Sequence, residues 1–185
     1  MQPFVCEGEE VMQHNMTKHE HWIAKVCDQL NKLIQLDFDA AGTYREAILH
    51  IDDPAARSDL HAFLGDHERH VMELSQIVRD LGGTPIEAHR DLKGGILEGM
   101  TRLRSRGTLG ALRAMRMNEK LTNRTYDRAS EIYMPPIGQA IVVENLTDER
   151  RHLAAIEAHI DRLSGKHFYD IDRVDREATE GPFVR

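Results

Sequence analysis

Residues 66–70 read DHERH and lie inside a long helical pattern. His67 and His70 are three residues apart, so they share one face of a helix. That face is the apolar one: Leu60, Phe63, His67, His70, Leu74, Ile77 and Leu81 follow each other at three- and four-residue steps. An imidazole without a partner is poor core material. Either the two histidines reach the surface, or something in the core binds them.

Three other stretches show the same interruption. The first helical stripe runs Leu30, Leu33, Asp37, Ala40, Tyr44, Ala47 and Ile51. The third runs Leu112, Met115, Glu119, Thr122, Tyr126, Ala129 and Tyr133. The fourth runs Val142, Asn145, Glu149, His152, Ile156, His159 or Ile160, and Leu163. Each stripe is apolar at its ends and broken in its middle. The breaks are Asp37, His67, His70, Glu119, Glu149 and His152, and buried charge is costly unless it is paired or binds metal. Thirty-three residues separate Asp37 from His70, and thirty-three separate Glu119 from His152. DHERH at 66–70 and DERRH at 148–152 hold equivalent places. Two helical hairpins with related ligand sets, set face to face, would form a dinuclear carboxylate site.

Composition sets the background. The chain has 185 residues, 30% of them charged and only 5% aromatic, which favours helices over sheets. The expected fold class is all-α. The first helix is expected from about residue 17 to Ile51. Pro54 suits the first turn of the second helix, which should stop at Gly82 or Gly83. A short extra helix is expected at 91–105, in the long crossover to the third helix. The third helix follows Gly107, and the fourth runs from MPPIG to LSGK. The expected domain plan is an N-terminal extension at 1–16, a bundle at 17–165 and a tail at 166–185. A net charge of −7 argues against nucleic acid as a partner. No apolar run is long enough for a membrane span. The opening MQPFVCEGEE has no basic n-region or apolar h-region, so no secretion signal is expected. Cys6 and Cys27 have no ligand-like spacing, so the expected setting is the reducing cytoplasm.

The chain resembles the ferritin-like superfamily, which includes bacterioferritins and rubrerythrins. LNKLIQLDFDAAGTY at 30–44 is similar to a bacterioferritin first helix, with Asp37 at the place of the glutamate ligand. HVMELSQIVRDLGGTP at 70–85 is similar to the stretch that follows the second-helix histidine ligand. DERRHLAAIEAHIDRL at 148–163 looks like the fourth helix, with Glu149 and His152 as its Glu-x-x-His pair. The likeness covers about residues 28–164. It implies an antiparallel ferritin-like four-helix bundle with a long crossover between the second and third helices. Overall the chain is more similar to the stress-associated ferritin-like bundles than to the cage-forming ones.

The resemblance implies a metal set of Asp37, His67, His70, Glu119, Glu149 and His152. It implies iron as the cofactor, two per chain, with manganese or zinc as alternatives. The implied activity is oxidation of Fe(II), or reduction of O2 or peroxide, with an outside electron donor. The alternative is a non-catalytic protein that handles iron or zinc, or a structural bundle. One position departs from the family: His67 stands where a glutamate bridges the two metals. A neutral imidazole has one free lone pair and cannot bridge in that way. Glu68 faces another side of the helix, and it stands where bacterioferritins carry their haem methionine, so no haem is expected. The sequence has no C-x-x-C pair, so no rubredoxin-type domain is expected. Tyr44 and Tyr126 either hydrogen-bond to the carboxylates of the opposite hairpin or are ordinary buried tyrosines. His14, His19 and His21 read as an incidental surface cluster. The expected assembly is a homodimer.

Overall fold

The computed structural model describes residues 7–88 and 107–165. They form four helices: α1 (Glu7–Ile48), α2 (Pro54–Asp80), α3 (Gly107–Ser130) and α4 (Pro136–Leu163). No strand occurs among the described residues. The segment at 91–105 and the tail from 166 lie outside them. α1 begins at Glu7, ahead of the start read from the apolar pattern, and no proline interrupts this stretch. None of the described helices is long and apolar enough to cross a membrane.

Local chemistry sets the hairpin turns. Asp53 caps α2 by accepting the Ala56 N–H at 2.8 Å, and Pro54 fills the first helical position, where its missing N–H costs nothing. Gly82 ends that helix at φ +77, a left-handed conformation that glycine adopts without strain. Pro136 opens α4 as Pro54 opens α2.

α1 packs along α2, and α3 along α4. Across the bundle α1 faces α3 and α2 faces α4. The two hairpins are internally related, because landmarks of the first recur 82 residues later. Asp37 matches Glu119, Tyr44 matches Tyr126, Pro54 matches Pro136, Asp66 matches Asp148, and His70 matches His152. Two apolar cores form at opposite ends. One contains Leu30, Leu33, Ile34, Leu74, Ile77, Val142 and Leu146. The other contains Ala47, Ile51, Leu60, Phe63, Leu112, Met115 and Ile156. Each large aliphatic side chain buried this way contributes about 1.5–3 kcal/mol. Between the cores lies a layer of buried polar groups.

Gly83 lets the chain after α2 lie close to α1. A Cβ there would stand 2.7 Å from Cys27 Sγ and 3.1 Å from Val78 Cγ1. Gly83→Ala should lower unfolding stability by about 1–3 kcal/mol through this overlap. Gly65, in the exposed face of α2, has nothing within 4 Å of such a Cβ. Gly65→Ala should instead stabilise by about 0.4–1 kcal/mol. Denaturant midpoints of the two variants, moving in opposite directions, check this.

Candidate metal centre

The central layer is made of Asp37 on α1, His67 and His70 on α2, Glu119 on α3, and Glu149 and His152 on α4. All six are fully buried. Their spacing within each helix turns them to one face, and the hairpin pairing brings the four faces together. Ligand atoms of Asp37, His67, His70 and Glu149 lie within 4.8 Å of one another, and so do those of His67, Glu119, Glu149 and His152. The structure therefore brings together all six residues singled out in the sequence.

The two groups overlap. His67 and Glu149 belong to both. His67 Nδ1 is 2.9 Å from Asp37 Oδ1 and 3.4 Å from Glu149 Oε1, while its Nε2 faces Glu119 Oε1 at 3.7 Å. The ring thus stands in the middle of the layer, which spacing along one helix could not reveal. Glu68 points outward and pairs with Arg45.

Hydrogen bonds from outside the layer fix several of these groups. Tyr44 donates to Glu119 Oε1 at 2.7 Å, and Tyr126 donates to Asp37 Oδ2 at 2.5 Å. Each tyrosine reaches the carboxylate of the opposite hairpin. His152 Nε2 lies 3.0 Å from Asp66 Oδ2, and His70 Nε2 lies 3.4 Å from Asp148 Oδ2. An acceptor at Nε2 draws the ring proton there and turns Nδ1 inward in both rings. Arg69 and Arg151 each bond to both aspartates and hold them in place. Asp66, Asp148 and their arginines were not singled out in the sequence. They flank the apolar stripe, but their recurrence at the first and fourth places of DHERH and DERRH was a usable signal.

The inner atoms are left without partners. His67 Nε2, Glu119 Oε2, both Glu149 oxygens and His152 Nδ1 are buried with no hydrogen bond. Buried polar atoms are nearly always paired, so five orphans in one layer point to a missing partner. They comprise three acceptor oxygens and two imidazole nitrogens, a donor set that suits divalent transition metals.

Electrostatics agree with a cluster that needs positive charge. Burial and the neighbouring Glu119 and Asp37 carboxylates raise the pKa of Glu149 to about 7. Against the pull of burial, Asp37 and Glu149 raise His70 to about 9. His67 is raised well above its ordinary value: burial opposes the shift, but Glu149 and Asp37 outweigh it. His152 falls to about 4, through burial first and the His67 cation as well. Without metal, protons on two imidazoles balance most of the carboxylate charge.

A family model described as Domain of unknown function (DUF2383) matches residues 25–131, more than half of the chain. The chain belongs to that family. The DUF2383 match takes in Asp37, His67, His70 and Glu119 and stops before α4, which supplies Glu149 and His152. No curated protein matches the sequence. Among solved structures, the DUF2383 chain is similar to a ferritin-like, diiron-carboxylate protein from Bacillus anthracis str. Ames. That likeness has 17% identity and a TM-score of 0.59, and covers 76% of this chain and 98% of the other. A two-domain protein from Anabaena variabilis, with DJ-1/ThiJ/PfpI-like and ferritin-like domains, matches at 14% identity and a TM-score of 0.62. There 88% of this chain covers 40% of the longer protein. A dodecameric thioferritin from Bacteroides fragilis, characterised as bacterioferritin-related, matches at 15% identity and a TM-score of 0.56, covering 86% and 92%. The fold is that of the ferritin-like four-helix bundle.

Metal uptake by this layer must displace protons. His70, with a pKa raised to about 9, is protonated at neutral pH and deprotonates as pH rises. Apparent metal affinity should therefore rise with pH up to about 9. Competition with a chromophoric chelator measures it, and a flat profile between about pH 6 and 9 would remove His70 from the ligand set.

Proposed function

We propose that this chain binds two divalent metal ions, iron foremost, and oxidises Fe(II) with dioxygen or peroxide. The observation that carries the reading is the group of five unpartnered ligand atoms between two apolar cores. Bound iron would supply the electrons for reducing the oxidant. On this reading Asp37 and His70 hold one ion, and Glu119 and His152 hold the other. Glu149 stands between them, and His67 gives a nitrogen in place of a second bridging carboxylate. Tyr44 and Tyr126 keep the Glu119 and Asp37 carboxylates turned inward. Asp66 and Asp148 orient the two outer histidines so that Nδ1 would face the metal; His152 Nδ1 is unpartnered, and His70 Nδ1, 3.3 Å from Asp37 Oδ1, would give up its proton to bind. The apolar cores on either side exclude bulk water. Electrons for repeated turnover come from an outside donor, and the protein works in the cytoplasm.

A second reading has a specific observation behind it. Three imidazoles with three carboxylates make a nitrogen-rich set for this fold, and such sets suit zinc. A zinc-loaded centre would be structural rather than oxidative.

His67→Glu distinguishes the two. It adds a second carboxylate between the two positions, so it should tighten iron binding at both and speed Fe(II) oxidation. Elemental analysis and absorbance-monitored iron titration give both quantities. A variant with unchanged metal content and rate would place His67 outside the centre.

The proposed assembly is a symmetric homodimer, the commonest closed form. Met117 and Leu121 lie one turn apart on α3 and are 64% and 57% exposed, an apolar strip that a second copy could cover. Light scattering after size exclusion should give twice the chain mass. A dodecamer, as in the Bacteroides relative's description, would overturn the dimer.

A further inference from the structure

The two poles of the centre carry related ligands but different walls. On the Glu119 side, Phe63 stacks on His152, with ring centroids 4.2 Å apart and planes 29° apart. Phe63 also meets Tyr44 edge-on at 6.3 Å. Eighty-two residues later, the matching position on the Asp37 side is Asn145. Asn145 is fully buried, and its Nδ2 donates to the Tyr126 hydroxyl oxygen at 3.4 Å. Tyr126 gives its own proton to Asp37 Oδ2. The tyrosine oxygen can therefore only accept from Asn145, which fixes the orientation of the amide.

The amide carbonyl is then left over. Asn145 Oδ1 is buried and has no hydrogen-bond partner among the described residues. Asp37 accepts from Tyr126 and pairs with His67, and neither Glu149 oxygen has a hydrogen-bond partner, so neither side chain satisfies it. Asp37 is also one methylene shorter than Glu119. A buried acceptor with no partner asks for a small donor.

We propose that the Asp37 pole receives a small protic oxygen ligand, water at rest and hydrogen peroxide in reaction. Asn145 Oδ1 accepts its hydrogen bond, and Phe63 closes the other pole to such a ligand. The inference rests on the metal-centre reading above and adds the side of entry and the preferred oxidant. Hydrogen peroxide has a proton to donate and dioxygen has none, so the carbonyl favours peroxide. In the reaction the O–O bond breaks and peroxide takes one electron from each of two Fe(II) ions. It also takes two protons, leaving two Fe(III) and two water molecules.

Two measurements test this. A crystal structure of the full chain loaded with Co(II) should show an oxygen within about 2.6–3.2 Å of Asn145 Oδ1 and none beside Phe63. In stopped-flow Fe(II) oxidation, Asn145→Leu should raise the peroxide concentration for half-maximal rate about tenfold, the effect of one lost hydrogen bond. The peroxide-driven rate should fall more than the dioxygen-driven rate, and metal content measured alongside separates loss of this contact from loss of the centre. An empty position at Asn145, or equal effects of the substitution on both oxidants, overturns the inference while leaving the metal centre standing. A chain that takes up no metal overturns both.

Discussion

A polar layer sealed between two apolar cores must be neutralised from within, and the rest of this structure follows from that constraint. Three carboxylates and three imidazoles meet with no surface exposed to bulk solvent. The aliphatic cores at each end hold the helices in register, and the register determines which atoms face one another. Protons on His67 and His70 offset most of the layer's negative charge when metal is absent. They also leave acceptor atoms unpaired, which is the state of a site waiting for cations rather than of a finished hydrogen-bond network.

The 82-residue internal relation explains how so many convergent groups fit into a small bundle. One hairpin plan, used twice, places a carboxylate and a tyrosine on one helix and a paired motif on the next. Facing the two copies makes each tyrosine serve the other hairpin's carboxylate, and each outer aspartate serve the other hairpin's histidine. Function enters where the copies differ. His67 stands against Glu149, Asp37 against Glu119, and Phe63 against Asn145. Each difference changes charge, reach or polarity at one pole, so the two positions are chemically unequal.

Much of the fold was legible in the sequence because a stripe of period 3.6 that turns polar in its middle has few explanations. Asp37, His67, His70, Glu119, Glu149 and His152 all announced themselves as charges or imidazoles among Leu, Ile and Met. Asp66 and Asp148 did not, since a flanking, partly exposed aspartate looks like any surface acid. Asn145 passed as a neutral member of its stripe, and its meaning depends on a tyrosine proton that only the assembled bundle directs. The sharing of His67 between two groups was hidden for a similar reason: periodicity assigns a side chain to a face but not to a neighbour on another helix. The early start of α1 went unseen because residues 7–16 have helix-compatible composition without an apolar stripe.

Anomalous diffraction at the metal edge, from crystals of the full chain grown with Fe(II) under anaerobic conditions, tests the central claim most directly. The account predicts two peaks in the bundle core, each about 2.0–2.6 Å from ligand atoms. One lies beside Asp37 and His70, the other beside Glu119 and His152, with Glu149 between them. An empty core, with metal only at exposed histidines such as His19 and His21, would contradict it.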